Sequence, residues 1–260
     1  MDVVVICLTA FVASALTLIS GFGLGTLLMP AFAVFFPIGT AIALTAVVHL
    51  ANNLFKLLLV GWRADRRLVI RFGAPACIAS IMGALTLRSI GHLSPITEYV
   101  LAGHVCRVEL LNVVVAVLMV LFAVLEALPW LERRSFSARW LPLGGALSGF
   151  IGGISGHQGA LRSAFLLRFK GLLTKESYIA TGVVIACLVD AGRLTVYSTT
   201  PARSVVREHL GLIVAATLSA FLGAFLGSHL MHKVTLRGVQ MLVAVMLLLI
   251  AAALGSGLLS

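Results

Sequence analysis

Residues 152–163 read Gly152-Gly153-Ile154-Ser155-Gly156-His157-Gln158-Gly159-Ala160-Leu161-Arg162-Ser163, in the middle of an apolar run from Trp140 to Leu167. The run is longer than the roughly 20 residues that carry a helix once across a bilayer. Each glycine weakens a helix by about 1 kcal/mol relative to alanine, so Gly149, Gly152, Gly153, Gly156 and Gly159 predict a break near its centre. Unwound backbone at membrane depth survives only where protein or a water-filled cavity satisfies its polar groups. The stretch therefore reads as a broken or re-entrant helix that faces the protein interior.

The rest of the chain supplies the membrane context. Of 260 residues, 60% are hydrophobic and 11% charged, against roughly 45–50% and 25% in an average soluble domain. That is about 156 apolar residues, or seven or eight spans, and almost nothing is left for a soluble domain. Besides the run already quoted, apolar segments extend over Val3–Phe36, Ile38–Val60, Leu68–Ile90, Val108–Leu128, Tyr178–Val196, Leu210–Leu230 and Leu236–Leu258. The fold class is an all-α integral membrane protein with about eight hydrophobic segments. The formal net charge of +10 sits in short loops between these runs, which excludes nucleic acid as an expected partner and leaves the lipid bilayer. Cys7, Cys77 and Cys187 lie within apolar runs and Cys106 stands alone near a segment edge, with no metal-ligand spacing and no cofactor motif. Ala13-Ser14-Ala15 has the small-residue look of a signal cleavage site, yet no basic region precedes it and Asp2 is the only early charge. The first segment is expected to be retained.

That first segment is the second unusual one. It too exceeds a single crossing and is interrupted by Gly21, Gly23 and Gly25. Ile19-Ser20-Gly21-Phe22-Gly23-Leu24-Gly25 aligns with Ile154-Ser155-Gly156-His157-Gln158-Gly159 at an offset of about 135 once one residue is gapped. At an offset of 137, Asn53 falls on Asp190 and Lys56 on Arg193; at 140, Gly83-Ala84 falls on Gly223-Ala224. These matches indicate an internal duplication. The expected division is a first half over 1–107, a connecting segment and basic loop over 108–138, a second half over 139–234 and a C-terminal segment over 235–260. Glycine-interrupted segments at corresponding places in two halves point to a transporter's binding site.

Charge distinguishes the arrangements. If all eight segments cross, alternate loops carry eight and nine basic residues, with no bias. If the two broken segments instead fold back as hairpins, one face gathers Arg63, Arg66, Arg67, Arg71, Arg133, Arg134, Arg139, Arg162, Arg168, Lys170, Lys175, Lys233 and Arg237. The other face keeps Arg88, Arg107, Arg203 and Arg207. The positive-inside rule favours the hairpins, and the halves are then inverted, one hairpin entering from each face.

The candidate site follows from the breaks. A half-helix that restarts after a break points the positive end of its dipole and free N–H groups into the protein, where an anion is favoured. Ser155, Gly156, His157, Gln158, Gly159 and Ser163 supply donors and close backbone approach, and Arg162 a permanent charge suited to an oxyanion. Alternatively, Arg162 lies in the interface and His157 and Gln158 bond carbonyls opened by the break. Gly21, Gly23 and Gly25, with Ser20, Thr26 and Pro30 nearby, offer backbone but no charge, and tight helix packing is the competing reading. His49, Asn52, Asn53 and Lys56 line one helical face of the second segment. Asn52, Asn53, Lys56 and the repeat-related Arg193 join the candidate substrate contacts, and Asp190, with His157, is the candidate for ion coupling. Two structural alternatives stand beside this: an intrahelical Asp190–Arg193 pair, and a Lys56 that snorkels toward Arg63.

The paired motifs, Gly21-Phe22-Gly23-Leu24-Gly25 with Pro30 and Ser155-Gly156-His157-Gln158-Gly159-Ala160-Leu161-Arg162-Ser163, resemble the two signatures of the TauE/SafE family of sulfite exporters and sulfonate permeases. The likeness covers the chain in length, segment count and duplication. Leu24 stands where glycine is usual, and His157-Gln158 interrupts the second run, a departure from the family's pattern that bears on which of its named substrates this member takes. The resemblance implies a multi-pass carrier of the bacterial inner membrane for small sulfur oxyanions or organosulfonates such as sulfite or sulfoacetate. Residue spacing alone reaches a secondary transporter of an anion, with no ATP-binding motif, and is compatible with a homodimer. A passive anion channel is the nearer rival. A rhomboid-like serine protease, using Ser155 with His229 or His232, is the more distant one.

Overall fold

The computed structural model describes residues 2–20, 23–101, 104–127, 137–166, 173–200, 202–230 and 236–259. Both long glycine-bearing runs are divided. The first gives α1 (Asp2–Ser20) and α2 (Gly25–Ala33), the second α6 (Leu141–Ser155) and α7 (Gly159–Leu166). Between them lie α3 (Ile38–Val60), α4 (Arg66–Ile90, with one π-helical turn over Val69–Gly73) and α5 (Leu110–Ala127). After them come α8 (Lys175–Tyr197), the short α9 (Ala202–Glu208), α10 (Leu210–Leu230) and α11 (Leu236–Gly255). Among the described residues, four helices are long and apolar enough to cross a membrane: Ile38–Leu59, Arg66–Ile90, Glu176–Tyr197 and Leu210–Gly227. Shorter apolar helices cover Asp2–Thr17, Leu110–Leu125 and Gln240–Gly255. Leu58, Ile78 and Leu249 turn outward at 78%, 65% and 66% exposure, as expected where the solvent is lipid rather than water.

Among the described residues, one departure from an all-α chain occurs. Thr97–Leu101 (β1) and His104–Val108 (β2) pair antiparallel, with Glu98 opposite Arg107. Both strands mix β-branched and polar residues and all of β1 is exposed, a pattern too short to register against helix-length apolar runs. The hairpin is tied to the C-terminal turn by Tyr99 Oη, which donates to Ser256 O at 2.5 Å.

Helix directions follow from the closest contacts. A Cβ placed on Gly145 would strike Phe72 O, one on Gly149 Ala76 O, and one on Gly153 Ser80 O. Thus α6 runs alongside α4 in the same direction, separated by little more than backbone. Likewise Gly223 abuts Phe11 O and Gly227 abuts Ala15, so α1 runs with α10. Lipid supplies no hydrophobic drive between helices, and glycine stripes replace it with close dispersion contact. The two interfaces resemble each other in detail. Gly83 of α4 meets Phe150 O of α6, and Gly223 of α10, 140 residues on from Gly83, meets Phe11 O of α1, 139 residues before Phe150.

Each broken segment reverses. Ser14 and Thr17 of α1 bond Asn52 and Lys56 in order, so α1 runs with α3. Gly25, which opens α2, lies beside Thr45 and His49, and the chain then returns to Pro37 at the start of α3. In the second segment Gly156 lies against Arg193, whereas Arg162, further along, lies beside Gly182. So α7 travels back along α8, which itself runs with α4 through the Gly73–Ile185 and Gly192–Cys77 contacts. The two hairpins open toward opposite ends of α3.

The glycine stripe predicts a clear asymmetry between substitutions. Gly149→Val should lower the stability of the detergent-purified protein by about 1–3 kcal/mol through overpacking, read as a drop in thermal midpoint. Gly211→Ala, where nothing lies within 4 Å of the new Cβ, should leave the midpoint unchanged or raise it.

Candidate functional site

The hairpin tips meet. A Cβ on Gly25 would lie 3.1 Å from Gly156 O, and one on Gly23 would lie 3.3 Å from His49 Nε2. Gly156 caps α6 with φ +78°, its N–H donating to Gly152 O at 2.9 Å. That left-handed backbone suits glycine. Residues 156–158 then swing round, and Arg162 N–H donates to Gln158 O at 3.1 Å as α7 begins. The break leaves few loose ends: Ser148 Oγ donates to Gln158 O at 3.0 Å, Tyr197 Oη to Gly153 O at 2.7 Å and Ser155 Oγ to Ile151 O at 3.0 Å. Across from it, Thr26 Oγ1 donates to Gly23 O at 2.9 Å and starts α2.

Asp190 lies at this junction, fully buried. Its Oδ1 accepts from Arg193 Nε (3.1 Å), Arg193 Nη2 (2.8 Å) and Gln158 Nε2 (3.3 Å). Its Oδ2 accepts from His49 Nδ1 (2.5 Å) and Asn53 Nδ2 (3.3 Å). Five N–H contacts from α3, α8 and the α6–α7 break fill the lone pairs of one carboxylate. The Asp190–Arg193 pair expected from i, i+3 spacing is present, yet it is one part of a junction between the two halves of the chain rather than an intrahelical pair alone.

A cleft opens beside this junction, lined by Thr17, Gly23, Leu24, Asn53, Lys56, Arg162, Ser163, Leu166, Tyr178, Ile179, Gly182 and Val183. Lys56 is only 5% exposed and its Nζ donates to Thr17 Oγ1 at 3.2 Å. It does not snorkel toward Arg63. Arg162 is also 5% exposed, so its side chain is covered by protein. Two basic side chains and three hydroxyls thus line one recess.

The sequence-derived candidates divide into two groups. Lys56, Asn53, Arg162, Ser163 and Gly23 line the cleft. Arg193, Asp190, Gln158, Gly156 and Gly25 belong to the neighbouring junction, which Asn53 shares. Asn52 turns away, its Oδ1 accepting from Ser14 Oγ at 3.1 Å against α1. Ser155 bonds its own helix. His157 stacks on Phe122 (5.4 Å, 15°) with Nδ1 3.0 Å from Ser155 O, as the carbonyl-bonding alternative expects, whereas the Gln158 side chain goes to Asp190 instead. Gly159 opens α7. Gly21 lies outside the described residues, as does His232, and the described side chains do not include His229. Spacing placed His49 on the polar face of α3 without pointing to Asp190 as its partner, and Thr17, Tyr178 and Tyr197 had no signal in residue spacing.

Comparison with known proteins identifies a family. The family model described as Sulfite exporter TauE/SafE covers residues 6–254. No curated protein and no solved structure matches.

The crowded carboxylate makes a thermodynamic prediction. Asp190→Asn leaves Arg193 buried without its counter-charge and should cost about 3–5 kcal/mol. The double variant Asp190→Asn/Arg193→Gln should cost less than the sum of the two singles in a double-mutant unfolding cycle.

Proposed function

The chain belongs to the TauE/SafE sulfite exporter family, whose members are membrane transporters of sulfur compounds, and from that premise we propose that it is a secondary carrier for small sulfur-containing anions. The observation that carries the proposal is the cleft in which Lys56, Arg162, Ser163, Thr17 and Asn53 face one another beside the two glycine breaks. Positive charge at membrane depth is expensive and is kept where it meets a substrate or a partner. An oxyanion entering the recess meets the Arg162 guanidinium, whose fork of donors matches two oxygens at once, the Lys56 ammonium as a second charge, and the hydroxyls of Thr17, Ser163 and Tyr178 as neutral donors.

The carrier moves this site between faces by alternating access of two inverted halves. Support comes from the paired contacts Gly83–Phe150 and Gly223–Phe11 and from hairpins that open toward opposite ends of α3. It comes also from charge: Arg63, Arg66, Arg67, Arg71 and Arg139 cluster at one end of the helices, while Arg88, Arg107, Arg203 and Arg207 flank the other. The basic end faces the cytoplasm of a bacterial cell, and the chain sits in the inner membrane. Coupling resides in the junction at Asp190, which joins α8 to His49 and Asn53 of α3.

Flux of radiolabelled sulfite or thiosulfate into proteoliposomes tests the proposal. Saturable flux that responds to an imposed ion gradient is expected. Arg162→Gln and Lys56→Gln should each lower it about 10- to 100-fold, the loss of one buried charge contact, whereas Ser155→Ala should retain most of it. Non-saturating flux insensitive to any gradient would make the protein a passive channel.

A further inference from the structure

A second cavity, of about 320 Å³, opens at the other end of the helices that form the cleft. Its floor is buried and is made by Ile38 and Ala43 of α3, Leu87 of α4 and Tyr197 of α8. Its mouth is polar, with Arg88 and His92 exposed around the end of α4 and Glu109 just ahead of α5. On α3 the cavity takes Ile38 to Ala43 and the cleft takes Asn53 and Lys56; on α8 the cavity takes Tyr197 and the cleft Tyr178 to Val183. The cleft therefore lies toward the basic end of the bundle, where α3 ends ahead of Arg63, and the cavity toward the end flanked by Arg88, Arg107, Arg203 and Arg207. Between them, Ala43 to Asn53 spans about 15 Å of α3, half the thickness of a bilayer core. That layer holds His49, Asp190 and Arg193.

One side chain closes the cavity against this layer. Tyr197 forms part of the floor, and its hydroxyl crosses to α6, donating to Gly153 O at 2.7 Å. Arg193, one turn back along α8, lies against Gly156 with Nη1. The phenol thus stands between the cavity and the buried Asp190–Arg193 pair. A neutral hydrogen bond contributes modestly to stability, so this one holds a closed state without locking it.

Resting on the carrier reading above, we propose that this cavity is the outer vestibule through which the anion passes between the outer face of the membrane and the centre of the fold, and that Tyr197 is its gate. Opening it separates the Tyr197 hydroxyl from Gly153 O and moves the end of α8 away from α6. The other end of α8 lines the cleft through Tyr178, Ile179, Gly182 and Val183, and Asp190 ties the helix to α3 between the two ends. A tilt of α8 about that tie opens one cavity as it narrows the other, which is what alternating access requires of a helix shared by both.

Labelling of introduced cysteines in the full chain by a membrane-impermeant maleimide tests this, in right-side-out and inside-out vesicles, with each site read separately by peptide mass spectrometry. Ala43→Cys reports the floor of the cavity, His92→Cys its mouth, and Gly182→Cys the cleft, where a Cβ meets only Arg162 Nε at 3.6 Å. His92→Cys and Ala43→Cys should react from the outer face and Gly182→Cys from the cytoplasmic face. Adding Tyr197→Phe, which keeps the ring and removes the hydroxyl, should raise the rate at Ala43→Cys about five-fold, the effect of one lost hydrogen bond on a two-state balance, and lower the rate at Gly182→Cys. A rise at both positions is general loosening and would overturn the gate, as would rates that Tyr197→Phe leaves unchanged. Labelling of Ala43→Cys from the cytoplasmic face alone would overturn the vestibule, and this sidedness decides even if Tyr197→Phe fails to fold. Saturable sulfite flux by the wild-type protein keeps the carrier reading standing through any of these failures; its absence would overturn that reading and the vestibule with it.

Discussion

The Asp190 carboxylate is the constraint to which the centre of this molecule is fitted. A carboxylate taken out of water is tolerable only when its lone pairs are filled and its charge is met. Here Arg193 meets the charge from the same helix, and His49, Asn53 and Gln158 fill the remaining positions from α3 and from the break that follows α6. Once that set is assembled, α8 cannot slide along α3 without stripping two donors from a buried anion. Nor can the α6–α7 tip withdraw without taking Gln158. The hairpin tip, the polar stripe of α3 and the charged pair of α8 are thereby held in one arrangement, and the cleft beside them inherits its shape.

Packing between helices makes that arrangement reachable. In lipid the interior gains nothing by hiding apolar surface, because the outside is apolar as well. Large residues such as Leu58, Ile78 and Leu249 accordingly point outward, and close contacts fall to glycine: Gly145, Gly149 and Gly153 against α4, Gly223 and Gly227 against α1. The short helices α2 and α7, nine and eight residues long, are below the length at which a helix holds in isolation. They persist because side chains close the breaks that precede them. Thr26 does so for α2, and Ser148 and Tyr197 for the α6–α7 turn.

Much of this was legible in the residues. Glycine runs in over-long apolar segments marked both breaks, and the register between the halves marked Asp190 and Arg193 as a pair. What spacing could not supply was contact across the halves. His49 lies 137 residues before Ala186, so the repeat offers it no polar counterpart, and its role rests wholly on tertiary placement. Thr17 and Tyr178 are ordinary polar residues near helix ends until the hairpins fold back and bring them to Lys56 and Arg162. Asn52 shows the opposite limit. Its stripe neighbours face the site, but one residue's rotation of about 100° about the helix axis turns it to Ser14 of α1. The strands at 97–108 were invisible to a reading keyed to helix-length apolar runs.

One relation in the sequence nevertheless carried more than it was used for. Asn53 and Asp190 fall in register at an offset of 137, and in the folded chain they touch, Asn53 Nδ2 to Asp190 Oδ2 at 3.3 Å. The two glycine breaks are alike in sequence and also touch, Gly25 against Gly156 O. When two like halves pack about an approximate two-fold axis, positions that correspond between them become neighbours wherever they lie near the axis, as in an isologous interface. The divergence of such a pair is then informative. Had both positions kept an acid, two carboxylates would face each other in a buried interior. With one an amide and the other an acid, a donor meets an acceptor, and the site acquires a single negative charge beside three positive ones. The difference between the two stretches, Asn53 and Lys56 against Asp190 and Arg193, is therefore what gives the centre of the fold its mix of one buried acid and several buried basic side chains.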